Sequence, residues 1–243
     1  MSQENLYNDF FSLMKNYPQA NDFIRKLQKN NQMFLFGGAV RKYIESGNNF
    51  FEDNLPRDFD FVLKKQYDFN LDDIFQSYNY KKNRFGGYKV ILNNLTFDVW
   101  ELSNTWAIKN KYVELSEKKL CETVFLNIDA IVYDFHNKKL YDEKYQEAKK
   151  KRCLEMVLEK NPCKELNLVR SMIFKQKYQM SYSDKLKAVF EEYACMEKKL
   201  SDILYDIQIE HYGSERISHK SINEEITNIM NRKYINKCKY LES

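Results

Sequence analysis

Residues 57–63 read RDFDFVL, and the segment 34–43 before them reads FLFGGAVRKY. In an extended chain the side chains alternate, so Asp58 and Asp60 point to one face while Phe59 and Phe61 point to the other. Two carboxylates stacked on one face repel each other unless a cation lies between them or both stand in water. Taken alone, the pattern describes a strand with a solvated face as readily as a metal site.

The surroundings narrow that choice. Asp98 lies in TFDVW (96–100), a second strand pattern with Phe97 and Val99 as its apolar members. If that strand pairs beside 58–63, a third carboxylate joins the same face. Asp58, Asp60 and Asp98 then form a hard oxygen site suited to one or two Mg²⁺, or to Mn²⁺ in their place. Such ions activate an attacking hydroxyl and stabilise a leaving pyrophosphate in an in-line displacement. Gly37-Gly38 sits between the strand MFLF (33–36) and a helix starting at VRKYIE (40–45). A glycine pair there lets backbone N–H groups approach a phosphate at the positive end of a helix. Arg41, one turn into that helix, and Arg57, beside Asp58, are placed to pair with triphosphate oxygens.

The rest of the chain bounds the reading. Its 243 residues suffice for one large or two modest domains, and 43% are hydrophobic, as in ordinary globular proteins. No apolar run is long enough to span a bilayer, and the acidic start MSQENLYNDFF does not resemble a signal peptide. A cytoplasmic protein is expected, without membrane partners. The five cysteines are scattered, with no CxxC pair, and read as reduced thiols. Helical spacing is present at 4–16 and 20–29, split by Pro18. Strand patterns recur at 58–63, 88–92, 96–101 and 128–135, with a helix pattern over 71–78. From Glu143 onward only helical patterns follow. We therefore expect an α+β head with a mixed sheet of about five strands, over residues 1–142 with its N-terminal helices, and an all-helical body over 143–243. Residues 1–143 hold 19 Lys and Arg against 20 Asp and Glu, whereas 144–243 hold 20 against 15. A near-neutral front with a basic rear suits a catalytic domain followed by one that binds a polyanion, and equally suits a solvated helical surface.

At this point the residues resemble a known family. GGAVRKYI followed by RDFDFVL is similar to the opening motif, GGxVRDxL then DxD, of the class II CCA-adding enzyme and bacterial poly(A) polymerase family, within the polymerase-β-like nucleotidyltransferases. RFGGYKV and LTFDVW resemble that family's hairpin and third-carboxylate strand. NIDAIVYDFHNKKLYD resembles its INALAYD segment, and LNLVRSMIFKQKYQMSYS its neck helix. The likeness runs over roughly residues 30–182. It implies a nucleotidyltransferase head, Mg²⁺ dependence, an NTP donor and a tRNA-like RNA 3′ end as acceptor. Gly37, Gly38, Arg41, Asp58, Asp60 and Asp98 fall on the phosphate loop and the metal carboxylates, and Arg170 on the neck arginine that reads the nucleotide.

Other motif positions depart from the pattern. The aspartate of VRD is Lys42, and the ribose-serving RRD falls at Thr123, Val124 and Phe125. The asparagine of INA is Asp129, and two base-reading positions of the neck hold Lys164 and Asn167. The expected activity is therefore transfer of a nucleoside monophosphate from an NTP to a hydroxyl, with RNA as the first acceptor. A protein or small-molecule acceptor, or a non-catalytic RNA-binding relative, stand as alternatives. His136, His211 and His219 have no ligand spacing, and the run Lys149 to Arg152 suits phosphates or plain solvent equally.

Overall fold

The computed structural model describes residues 4–51, 53, 55–66 and 70–241. The chain forms two compact units, Met1–Val124 with Asp129–Tyr145, and Phe125–Ile128 with Gln146–Ser243.

The first unit begins with α1 (Glu4–Met14) and α2 (Pro18–Asn30), then β1 (Asn31–Phe36), α3 (Gly38–Glu45), β2 (Phe59–Lys65) and the short α4 (Leu71–Phe75). Next come β3 (Tyr80–Lys82), β4 (Tyr88–Leu92), β5 (Leu95–Glu101), α5 (Trp106–Lys109), β6 (Val132–Asp134) and β7 (Lys139–Tyr141). Pro18 opens α2 at a position where the missing N–H loses no helical bond. The sheet has the order β3-β4-β5-β2-β1-β6-β7. Only β2 and β5 pair in parallel, while the other neighbours are antiparallel.

Alternation sorts the sheet's two faces. Phe59, Phe61 and Phe97 are fully buried, and Phe59 stacks on Phe97 at 5.5 Å between centroids. Helices α1 and α2 cover this face: Phe10 meets Phe59 and Phe61 edge-on at 5.7 Å, and Phe23 meets Phe97 at the same distance. Each buried ring removes enough apolar surface from water to contribute ~1.5–3 kcal/mol, so the phenyl face fixes which side of β2 and β5 the aspartates take.

The sheet has seven strands where the sequence pattern suggested about five. The two additional strands, β3 and β7, have three residues each, too short for a visible period of two. The segment read as one strand over 128–135 is divided: Asn127–Asp129 forms a 3₁₀ turn and only Val132–Asp134 is extended. Asp134 then closes the hairpin to β7, its carboxylate accepting from the backbone N–H groups of His136 (2.8 Å) and Asn137 (3.1 Å).

In the second unit α6 (Glu143–Lys151, which starts in the first unit) precedes β8 (Cys153–Leu154), α7 (Lys164–Tyr178), β9 (Ser181–Tyr182), α8 (Asp184–Met196), α9 (Leu200–Tyr212) and α10 (His219–Leu241). The two-residue strands β8 and β9 pair in parallel and are the exception to the helical reading. Helix α8 is capped by the Ser183 hydroxyl, which accepts from Leu186 N at 3.3 Å. Helices α7, α9, α8 and α10 pack around Leu168, Met172, Leu186, Phe190, Leu204 and Ile222. Buried Gln208 ties the segment before α10, donating to the Ile217 carbonyl and accepting from the Arg216 and Ile217 amides. No helix among the described residues is long and apolar enough to cross a membrane.

Candidate active site

The register of β2 and β5 decides the placement of the carboxylates. Phe59 is the Cα partner of Phe97, and Asp60 is the partner of Asp98. Partners on parallel neighbours share a face, so the phenyl pair lies in the core and the two aspartates lie side by side on the opposite face. On the far side of β5 the antiparallel strand β4 brings Lys89 opposite Asp98, and on the far side of β2 Phe36 of β1 stands opposite Asp60. A single row across four strands thus reads Lys89, Asp98, Asp60, Phe36.

Asp58 lies just ahead of β2. Its Oδ2 accepts from Arg57 Nη2 at 2.9 Å and Nε at 3.1 Å, the two-pronged geometry that suits a guanidinium. Asp98 Oδ2 is met by Lys89 Nζ at 2.8 Å. The Asp58 and Asp98 side chains are 17% and 16% exposed, whereas Arg57 and Lys89 are 56% and 44% exposed. Both outer carboxylates are therefore recessed beneath cations that reach in from the rim. Burial holds the Asp98 carboxyl above the ordinary carboxylate range; the Lys89 ammonium pulls it back, and the charge of Asp58 adds to the rise.

Among the described residues no three His, Cys, Asp or Glu side chains are already gathered as a metal cage. The donor set nonetheless fits Mg²⁺ in kind: every candidate ligand is a carboxylate oxygen, two of them in register and a third one strand period away. Its recessed negative charge, held off by two basic side chains, is the condition that a divalent cation relieves.

The glycine pair lies between β1 and α3. Gly37 has φ +54° and ψ −110°, a conformation that strains a residue with a Cβ, and Gly38 starts α3. Gly37 N donates to the Ile131 carbonyl at 2.8 Å, which ties the turn to the segment before β6. A methyl added at Gly38 would meet nothing within 4 Å, so the first turn of α3 is open there.

Arg41 is engaged in a way the sequence did not reveal. It is only 9% exposed and its Nη1 donates to Asp129 Oδ1, in a pair where both side chains are nearly buried. Asp129 occupies the position of the motif asparagine, so the substitution supplies a charge partner for the arginine. Of the ribose-serving positions, Thr123 spends its hydroxyl on the Leu120 carbonyl at 2.7 Å and Phe125 is a buried ring. In the second unit Arg170 lies on α7 with its guanidinium 5.4 Å from the Phe174 ring, and Asn167 donates to Asn161 at 2.7 Å. Lys149, in the last turn of α6, lies 4.5 Å from the Tyr178 ring, and Arg152 donates to the Gln179 carbonyl at 3.2 Å.

Lys89 and Asp129 contact candidate site residues, and sequence reasoning gave neither a role. The alternation of β4, with Tyr88, Val90 and Leu92 buried, puts Lys89 on the outward face. Pairing it with Asp98 required the hairpin register. An open cavity of about 300 Å³ lined by Lys64, Lys65, Glu101, Leu102, Leu115 and Glu117 lies at the other end of β2 and β5, with Lys64 paired to Glu117 and Lys65 to Glu101.

No protein-family model matches the sequence, and no curated protein matches it. Solved structures do. A CCA-adding enzyme in complex with ATP superposes with a TM-score of 0.56 at 15% identity, covering 90% of this chain and 52% of that one. A tRNA nucleotidyltransferase complexed with a primer tRNA and an incoming ATP analogue gives 0.55 at 16%, covering 82% and 58%. A tRNA-processing enzyme with CTP gives 0.54 at 15%, covering 82% and 53%. This chain spans about half the length of these structures. With its mixed sheet, its glycine turn before α3 and its helical rear, the chain has the fold of the CCA-adding enzymes and tRNA nucleotidyltransferases.

Proposed function

We infer that the protein is a divalent-cation-dependent nucleotidyltransferase that moves a nucleoside monophosphate from an NTP to a hydroxyl, with an RNA 3′ end, tRNA-like, as the acceptor. The observation that carries this reading is the register of Asp60 with Asp98 on parallel strands, two aspartates adjacent on the face away from the phenyl core. The glycine turn of α3 and the shared fold support it, and the basic rear supports a polyanionic acceptor.

Asp58, Asp60 and Asp98 would hold the metal, Mg²⁺ or Mn²⁺, which supplies Lewis-acid polarisation of the α-phosphate and charge neutralisation of the leaving pyrophosphate. The chain's own residues do the rest. Amide groups at Gly38 and the first turn of α3 receive phosphate oxygens at the positive end of the helix, where the absence of a Cβ leaves the approach open. Arg57, paired with Asp58 and half exposed, brings its positive charge to the triphosphate. Arg41, locked to Asp129, braces α3 under the phosphate turn, a role different from direct phosphate contact. Asp98, beside Asp60 on the same face, orients the acceptor hydroxyl and takes its proton. The new bond joins the acceptor oxygen to the α-phosphorus as the bond to the β-phosphate oxygen breaks.

A second reading keeps the chemistry and changes the acceptor to a protein or small molecule. It is favoured by Thr123 and Phe125, whose side chains serve the fold where relatives of the motif serve a ribose. Incubation with each labelled NTP, Mg²⁺ and an RNA pool tests the first reading. Labelled RNA that disappears in Asp58→Ala/Asp60→Ala is expected. Label found only on protein or small molecule gives the second, and full activity in the double variant ends both.

A further inference from the structure

Lys89 lies within the hairpin segment RFGGYKV, which assigns it no role, yet its ammonium pairs with Asp98 across the sheet. The contact follows from backbone register, because Lys89 and Asp98 are direct Cα partners on β4 and β5 and their side chains leave the sheet on the same face. The Nζ to Oδ2 distance is 2.8 Å, and Asp98 is recessed while the lysine is 44% exposed. The carboxylate is thus fixed by the fold, whereas the cation arrives on a flexible four-carbon stem with its head at the rim. A divalent ion that ligates Asp98 competes with the ammonium for the same carboxylate charge and is repelled by it at that distance. An ammonium also withdraws cheaply, since its alternative position is water.

We propose that Lys89 is a built-in counter-ion with which a divalent cation must compete at Asp98, so that this site binds free Mg²⁺ or Mn²⁺ more weakly than its three aspartates alone would. The inference rests on the reading of Asp58, Asp60 and Asp98 as metal ligands. Lys89 acts through Asp98 and is a positioning residue, not a catalytic one.

The test is Mn²⁺ binding to the full chain, without nucleotide, measured by electron paramagnetic resonance of free Mn²⁺ and by calorimetry. Lys89→Met should bind Mn²⁺ about tenfold more tightly than the wild type, the equilibrium equivalent of ~1.4 kcal/mol. Lys89→Arg, which keeps the charge, should bind like the wild type, and unchanged thermal unfolding of both variants certifies the fold. Equal Mn²⁺ affinity in the wild type and Lys89→Met overturns the counter-ion role while leaving the metal site standing. Absence of Mn²⁺ binding in both, or binding that survives Asp58→Ala/Asp60→Ala, overturns the metal reading and this inference with it.

Discussion

Replacing Asp129 with alanine should destabilise the first unit by about 3–5 kcal/mol, because it leaves the Arg41 guanidinium buried with its principal counter-charge removed. The magnitude follows from burial. Arg41 and Asp129 are 9% and 8% exposed, so neither charge is compensated by solvent, unlike the exposed Lys151–Glu147 pair, whose loss should be barely measurable. The pair also lies within a short circuit of bonds. Arg41 N donates to the Gly37 carbonyl at 3.0 Å, Gly37 N to Ile131 at 2.8 Å, and Ile131 N to the Asp129 carbonyl at 2.9 Å. Loss of the side-chain pair therefore loosens the glycine turn as well as the helix. Trp100 and Trp106 both lie in the first unit, so tryptophan fluorescence during thermal unfolding reports on it selectively. At ~2–4 °C per kcal/mol for a chain of this size, the midpoint should fall by roughly 6–20 °C. Arg41→Met/Asp129→Leu, which removes both charges, should recover most of that loss. A fall of less than about 2 °C in Asp129→Ala, or a double variant as unstable as the two single losses added, would refute the reasoning.

The remaining outcomes test other parts of the site. Gly37→Ala should lower the unfolding midpoint through ~1–3 kcal/mol of backbone strain. Gly38→Ala, with open space for its methyl, should leave the midpoint unchanged or higher while raising KM for the NTP; equal effects at the two glycines would contradict this. Because burial raises the Asp98 pKa, its ionisation opposes folding: the opposition is absent below its ordinary value of 3.8 and appears as pH rises through the elevated value. Asp98→Asn should accordingly unfold no lower than the wild type at pH 7, lose any such advantage below pH 3.8, and be inactive; a large loss of stability at pH 7 would show that the Lys89 pair outweighs the burial. Burial pushes the Cys121 thiol up to about 12, so at pH 8 it stays protonated and inert. Iodoacetamide on the folded chain should modify exposed Cys195 and spare Cys121, as peptide mapping by mass spectrometry would show; equal labelling would contradict the burial.

Those residues differ in how far the sequence exposes them. Asp60 and Asp98 are legible because each stands beside a phenylalanine in an alternating strand, and a core that takes Phe59 and Phe97 forces them to the other face, with Asp58 just ahead of β2. The glycine turn is legible because few residues tolerate its combination of positive φ with ψ near −110°. Lys89 is not, since strand composition does not carry the register of β4 against β5. Nor is the Arg41 and Asp129 pair, whose partners are separated by 88 positions and joined only by tertiary packing. The three-residue strands β3 and β7 lack enough residues for a period of two, and their extension comes from the neighbours they pair with. In the 128–135 segment, apolar residues continue through a 3₁₀ turn, so hydrophobicity alone overstates the strand.

The central claim is that Asp60 and Asp98 serve transfer of a nucleotidyl group. It is tested most directly by supplying the full chain with Mg²⁺, an RNA pool and one NTP labelled in turn at its α- or its γ-phosphate. The account predicts that acceptor becomes labelled from the α position only, and that Asp60→Asn, folded by tryptophan fluorescence, transfers none. Label delivered from the γ position, or undiminished transfer by Asp60→Asn, would contradict it.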